Sequence, residues 1–303
     1  MPQDSSASCT HLIHKLLDTL NNQSELRVSS LVVTVFGDAI LPRGGSVWLS
    51  TLQELFDALQ IEASALRAAM SRLTSDGLLE RERVGRRSVY RLSETLAQES
   101  HKVSRIVYAR QITASGEWLI ALPSEAETSN PLQHHLLKSY HFGRMSGVYF
   151  RPKIDELPVP IETLVHSGIT VFDSAAQHFG LGQEPQSFTD QLWRTGDLAE
   201  AYHRFLATFG NLFDQPDWRR CAPMTALATR TLLIHAFRRL VLRDPLLPPH
   251  ALPSAWPGEQ ARAQTATLYR HVLTPSEMWL TRHQGGAPGD LKPAEQRLHA
   301  RFT

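Results

Sequence analysis

The stretch "SALRAAMSRLTSDGLLERERVGRRSVYRLS", residues 64 to 93, constrains this chain more than any other. Leu66, Met70 and Leu73 recur at helical spacing with Ala69 between them, so one side of a helix is marked for burial. The opposite side carries Ser64, Arg67, Ala68, Ser71, Arg72 and Ser75. Gly77 follows, suited to the left-handed position that ends a helix. Two strand-like runs then flank "GRR". Between Arg81 and Arg91 five arginines stand against one glutamate, a local net charge of +4.

The whole chain of 303 residues carries a net charge of only +1, so this positive charge belongs to one surface and not to the molecule. That length favours two or three domains, and a hydrophobic fraction of 42% is ordinary for soluble globular proteins. Cys9 and Cys221 are far apart and lack metal-ligand spacing. They predict neither a zinc site nor a disulfide framework, and suit a reducing cytoplasm. No apolar run approaches the ~20 residues needed to span a bilayer. The N-terminus lacks the basic start and apolar core of a secretion signal. Residues 1–24 read as an extension, partly helical through Leu12, Leu16 and Leu20.

Upstream of the basic stretch, "ELRVSSLVVTVFGDAI" predicts a buried helix through Leu31, Val35 and Ile40. "LPRGG" breaks the chain and "SVWL" makes a short strand. Ser50 to Leu59 predicts a second helix, with Ser50 and Gln53 as a capping box and Leu52, Leu55, Phe56 and Leu59 on one face. Three helices followed by a hairpin make a winged helix-turn-helix over residues 25–98. Small residues beside Arg67 and Arg72 let a helix sit close in a groove, where arginine reaches guanine edges or phosphates and serine reaches either. Arg83, Arg86 and Arg87 would lie along the flanking phosphates. The plainer reading is a solvated basic face, or a winged helix that binds protein.

Three segments together resemble the PaaX family of bacterial transcription regulators. They are "SLVVTVFGDAI" through "VYRLS", "FGRMSGVYFRP" at Phe142–Pro152, and "TRTLLIHAFRRLVLRDPLLPPHALPSAWPGEQARAQTATLYRHVL" at Thr229–Leu273, within a similarity covering roughly residues 25 to 282. The resemblance implies an α+β protein: the winged helix, a middle ferredoxin-like (Cas2-like) domain at 99–180, and a mainly helical C-terminal domain at 181–282. It implies a cytoplasmic homodimer that binds double-stranded operator DNA and represses a phenylacetate-type catabolic operon. An aryl-CoA or acyl-CoA thioester, as with phenylacetyl-CoA in the family, would release it. Gly196-Asp197-Leu198 stands where the family has Trp-Asp-Leu, and Glu117 precedes Trp118 in a variable loop. These departures bear on the effector more than on the fold.

Read from their own residues, "EWLIAL", "GVYFRP" and "GITVFD" are strands. "NPLQHHLLKSYHF" is a helix that buries Leu132, Leu136 and Leu137, and Ser93–Tyr108 is a linking helix. The resulting sandwich would pair subunits. A Cas2-like nuclease would need carboxylates converging on a metal, and Glu125 and Glu127 sit in a loop expected to be solvated. Fold likeness alone carries no activity. "DLAEAYHRFLATFGNLF" buries Leu198, Tyr202, Phe205 and Phe209.

The longer helix that follows bears Arg230, Arg238, Arg239 and Arg243, whose planar forks suit CoA phosphates. For any one of them the plainer reading is a pairing with an acid such as Asp244 or Glu200. His235, Trp256, Tyr269 and Trp279 read as core packing. The tail at 283–303, opened by glycine and proline, reads as flexible. Nucleophile-elbow, zincin and phosphate-loop motifs are missing, so no catalytic site, metal or cofactor is expected. The alternatives to a repressor are an activator on the same scaffold, the nuclease, or a protein-interaction module.

Overall fold

The computed structural model describes residues 3–22, 26–112, 114–124, 131–155, 157–174, 184–213 and 218–303. Glu125 and Glu127 lie outside the described residues. The protein is α+β, with two antiparallel sheets. It divides into two units, each discontinuous in sequence. One comprises residues 1–110, 204–239 and 260–303, and the other 111–203 and 240–259. The segment 181–282 therefore contributes to both.

In the first unit, helix α1 (Gln3–Asn22) buries Ile13, Leu16, Leu17 and Leu20. Helix α2 (Val28–Val35) forms despite its β-branched residues because burial outweighs propensity: Leu31, Val32 and Val35 are almost wholly removed from water. It continues into a π-helical turn, Phe36–Ile40. Strand β1 (Ser46–Trp48), helix α3 (Leu49–Ala58), helix α4 (Ala63–Ser75) and strands β2 (Leu79–Val84) and β3 (Arg87–Leu92) follow. The strands form a sheet in the order β1-β3-β2, with Val47 opposite Tyr90 and Val84 opposite Arg87. Leu52, Leu55, Phe56, Leu66, Met70 and Leu73 are buried, each contributing roughly 1.5–3 kcal/mol of hydrophobic stabilisation.

Helix α3 begins one residue earlier than expected, with Trp48 at the N-cap and no side-chain cap. Ser50 is thus inside the first turn, and the expected capping box does not form. Ser93 does cap α5 (Glu94–Val107), accepting from the Leu96 amide at 3.4 Å.

The carboxyl-terminal residues are ordered into this unit and are not a flexible tail. Ser46 Oγ donates to Pro288 O, and the Trp48 amide donates to Gly289 O at 3.1 Å. The free edge of β1 is thereby covered. Phe302 is buried and its amide donates to Tyr108 O. Glycine and proline punctuate this segment without freeing it, because Leu291, Leu298 and Phe302 supply apolar anchors.

Cys9 and Cys221 form a disulfide with Cα atoms 5.9 Å apart, against the expectation of two separate thiols. Their separation of 212 residues concealed the pairing, which follows from α1 packing near the short helical turn Trp218–Arg220.

The second unit contains β4 (Ala114–Pro123), α6 (Pro131–Ser139), β5 (Gly143–Met145), β6 (Val148–Ile154), α7 (Ile161–His166) and β7 (Ile169–Ser174). The βαββαβ order gives an antiparallel sheet β5-β6-β4-β7, one short strand more than the sequence suggested. Leu119, Ala121, Leu137, Tyr149, Leu164 and Ile169 form a core on one side of it. Leu132 is 79% exposed, contrary to expectation. The inward position of α6 is taken by Gln133, whose Nε2 donates to Ser167 O at 2.7 Å. Trp118, Leu247 and Ala251 form a second cluster with Phe150 and Trp193, and helix α8 (Pro185–Trp193) hydrogen-bonds the 250–251 segment through Gln186 and Thr189. Helices α9 (Thr195–Phe213), α10 (Pro223–Val241) and α11 (Gly258–Thr281) contribute residues to both units.

Candidate nucleic-acid interface

Helix α4 buries Leu66, Ala69, Met70 and Leu73 and leaves Ser64, Arg67, Ala68, Ser71, Arg72 and Ser75 exposed. All six sequence-predicted positions therefore share the outer face. The helix ends as its sequence dictates. Gly77 takes φ +70°, and the Leu78 amide donates to Leu73 O at 2.9 Å, closing a Schellman motif. Arg67 and Arg72 make no hydrogen bond or ion pair among the described residues.

The hairpin loop is two residues, Gly85 and Arg86. Gly85 has φ +61°, the positive angle that a type II′ turn needs at its first central position. This turn pushes Arg86 to the tip, exposed and likewise unpaired among the described residues. Arg83 is exposed and among the described residues bonds only Gly85 O, at 3.2 Å.

The remaining hairpin arginines are not equivalent. Arg81 donates to Ser88 Oγ, and Arg91 pairs with Glu80 at 2.8 Å, so the tally of +4 overstates the uncompensated charge. Arg87 lies with its guanidinium carbon 3.8 Å from the Trp48 ring centre and also reaches Ser50 Oγ. The Trp48 indole donates to Asp290 Oδ1 at 2.8 Å. That bond, with the Ala287 amide and then Arg87, holds the Asp290 carboxyl below its ordinary pKa. Arg87 is thus an exposed cation positioned by stacking, an arrangement that required the folded tail and was invisible in the sequence.

The four arginines expected to hold an effector differ in burial and in partners. Arg230 is wholly buried and not open to a ligand. Its Nε bonds Asp38 Oδ2 at 2.6 Å and its NH1 bonds Glu277 Oε1 at 2.6 Å. Arg43 shares that glutamate, and Arg301, Tyr108 and Tyr269 all reach Asp38 Oδ1. Burial alone would raise the Asp38 pKa; the Arg230 and Arg301 charges and the Tyr108 hydroxyl outweigh it and hold the carboxylate below its usual range. Burial, reinforced by Asp38, pushes the Tyr269 hydroxyl up to about 12.

Arg238 is half-buried and Arg239 and Arg243 are exposed, with Arg243 in the other unit. Tyr269 serves the buried carboxylate, Trp256 packs on Tyr202, and Trp279 lies beside His283. His235 is buried and bonded to Thr34 Oγ1 through Nδ1 at 3.1 Å, as a core histidine should be.

The comparisons with known proteins bear on the same regions. A family model described as PaaX-like protein matches residues 27–96, which contain α4 and the hairpin. A second, described as PaaX-like protein C-terminal domain, matches residues 193–282. The two together cover more than half of the chain. It belongs to the PaaX family. PaaX proteins are regulators and not enzymes. The transcriptional repressor PaaX of Escherichia coli K12 is 28% identical over 283 residues, spanning 89% of this chain and 88% of that one. A solved structure of an uncharacterized Mycobacterium tuberculosis protein is similar at 24% identity and a TM-score of 0.49, over 76% of this chain and 90% of that one. Among the described residues no helix is long and apolar enough to cross a membrane.

Proposed function

We propose that this PaaX-family chain is a sequence-specific DNA-binding transcriptional repressor, acting in the cytoplasm as a homodimer. Residues 28–92 are read as a winged helix-turn-helix with α4 as recognition helix and the β2–β3 hairpin as wing. The βαββαβ sheet is read as a ferredoxin-like domain that serves subunit pairing. One observation carries the proposal: the exposed face of α4 and the hairpin tip offer Arg67, Arg72, Arg83 and Arg86 with no acid partner among the described residues. Unpaired cations flanked by Ser64, Ala68, Ser71 and Ser75 suit a groove lined by phosphates. Two such helices in a dimer would enter major grooves about 10 bp or a multiple apart.

Arg67, Ser71 and Arg72 are assigned to base edges or adjacent phosphates; Arg83, Arg86 and Arg87 are assigned to the flanking backbone. The similarity to a transcriptional repressor supports repression over activation. Release by an aryl-CoA or acyl-CoA thioester is carried over from the family resemblance. With Arg230 committed to Asp38 and Glu277, such a ligand would rely on Arg239 or Arg243. A thermal-shift screen of thioesters against free acids tests that part separately.

The test of the DNA assignment is selection of a preferred duplex from a random pool, followed by binding titrations. Arg72→Ala should lose ~1–3 kcal/mol of discrimination at one base position. Equal affinity of wild type and variant for preferred and scrambled duplexes would remove α4 from the role.

A further inference from the structure

A second feature of the first unit points to a ligand of a different kind. A cavity of about 70 Å³ lies between α2, α5 and α10. Val33, Leu96, Val103 and Ile234 give it an apolar wall, while Arg238 enters from α10. The Arg238 guanidinium is half-buried, yet its only hydrogen bond among the described residues is from NH1 to Thr34 Oγ1, at 3.1 Å. Thr34 Oγ1 itself already bonds Ser30 O and His235 Nδ1, and it carries no charge.

A guanidinium has five N–H donors in a planar fork, and one neutral hydroxyl leaves most of them unused. Burying a cation this way is unfavourable unless an anion completes it. Burial lowers the Arg238 pKa from its usual value; the opposing influence is the Tyr108 hydroxyl, and among the described residues no carboxylate joins it. Its neighbour Arg230 has the opposite arrangement, with two carboxylates on one guanidinium.

The acids that line the cavity are already engaged. Asp38 faces Arg230 and Arg301, and Glu99, exposed at the rim, pairs with Lys102 at 2.6 Å. The volume holds roughly five to seven water-sized atoms. That is far too small for a nucleotide-bearing thioester but fits a carboxylate with a short alkyl body. An apolar wall and a single planar cation also suit a carboxylate better than a phosphate, which has three oxygens to satisfy.

We propose that this cavity is a binding site for a short-chain monocarboxylate, its oxygens on Arg238 and its alkyl body against Val33, Leu96, Val103 and Ile234. Helix α5 leaves β3 after only Ser93, so an occupant wedged between α2 and α5 acts on the element that carries the hairpin. The regulatory half of this proposal rests on the DNA-binding reading; the binding half does not.

The experiment is a thermal-shift and calorimetric titration of the full chain with propionate, butyrate and benzoate, each against its amide and against equal potassium chloride. Propionate and butyrate should raise Tm and saturate, while their amides and chloride do not. Arg238→Gln should weaken binding about ten- to a hundredfold, the loss expected for a charge-assisted pair. Val103→Phe, which fills the cavity and keeps Arg238, should abolish it and provides a second variant should the first fold poorly. Equal shifts by acid and amide, no saturable shift, or shifts unchanged in both variants would overturn the site. Duplex titrations with and without butyrate then separate the two readings. Saturable butyrate binding by a protein that binds no duplex sinks the DNA assignment and keeps the site. Duplex binding without carboxylate binding does the reverse.

Discussion

Replacing Arg83 and Arg86 together by alanine should flatten the salt dependence of DNA binding without harming the fold. Both side chains are exposed, and among the described residues their only hydrogen bond is from Arg83 to Gly85 O, so the stability change should stay within about 0.5 kcal/mol. Each phosphate contact contributes about −0.9 to the slope of log K against log salt. Losing two contacts per protomer therefore makes the slope less steep by about 1.8. Over a rise from about 50 to about 200 mM salt, wild-type affinity should fall about twelvefold more than that of the variant, per protomer engaged.

Fluorescence anisotropy with a random-sequence duplex across that range measures the slope directly. A paired control, Arg91→Ala with Glu80→Ala, removes a salt bridge at unchanged net charge and should leave the slope alone. Arg87 is left intact because its stacking on Trp48 would confound stability with contact. A slope unchanged in the Arg83/Arg86 variant would mean that the hairpin does not lie on the backbone.

Two further outcomes test the packing. Asp38→Asn removes the buried carboxylate that Arg230 and Arg301 share, leaving Arg230 with Glu277 alone among the described acids, and should cost roughly 3–5 kcal/mol by chemical denaturation. Because the folded Asp38 pKa is depressed, the wild-type advantage should be complete above the unfolded carboxyl value of about 3.9 and fade as pH falls through the lower folded value. An advantage that persists unchanged into that acid range would contradict the ion pairing. Cys9→Ser should lower Tm in the absence of reductant, since a cross-link closing 212 residues is worth about 5 kcal/mol in the chain-entropy view. A reducing cytosol would hold the same pair open. Thiol labelling that finds both cysteines free in air-oxidised protein would refute the bond.

Much of the candidate interface was legible without coordinates. The burial of Leu66, Met70 and Leu73 and the exposure of Arg67, Ser71 and Arg72 follow from helical period alone. Gly77 and Gly85 announced their turns because few other residues take a positive φ at low cost. The ranking among the arginines was not legible. Arg91 is compensated by a residue on the neighbouring strand and Arg87 is held by a tryptophan whose own partner is Asp290. The strand β5 is too short to leave a pattern, and Leu132 sits where helical spacing permits burial but the packing of α6 places Gln133 instead.

Local chemistry, which acts over one or two turns of chain, was enough by itself to determine the outward face of α4, the tight hairpin and the order of the helices and most strands. Tertiary structure alone decided the Asp38–Arg230 pair across 192 residues, the Cys9–Cys221 bond, the ordering of the last twenty or so residues and the solitary state of Arg238. The physical reason is that a charge has no preferred partner along the sequence. Only the fold brings acids to Arg230 and, among the described residues, withholds them from Arg238.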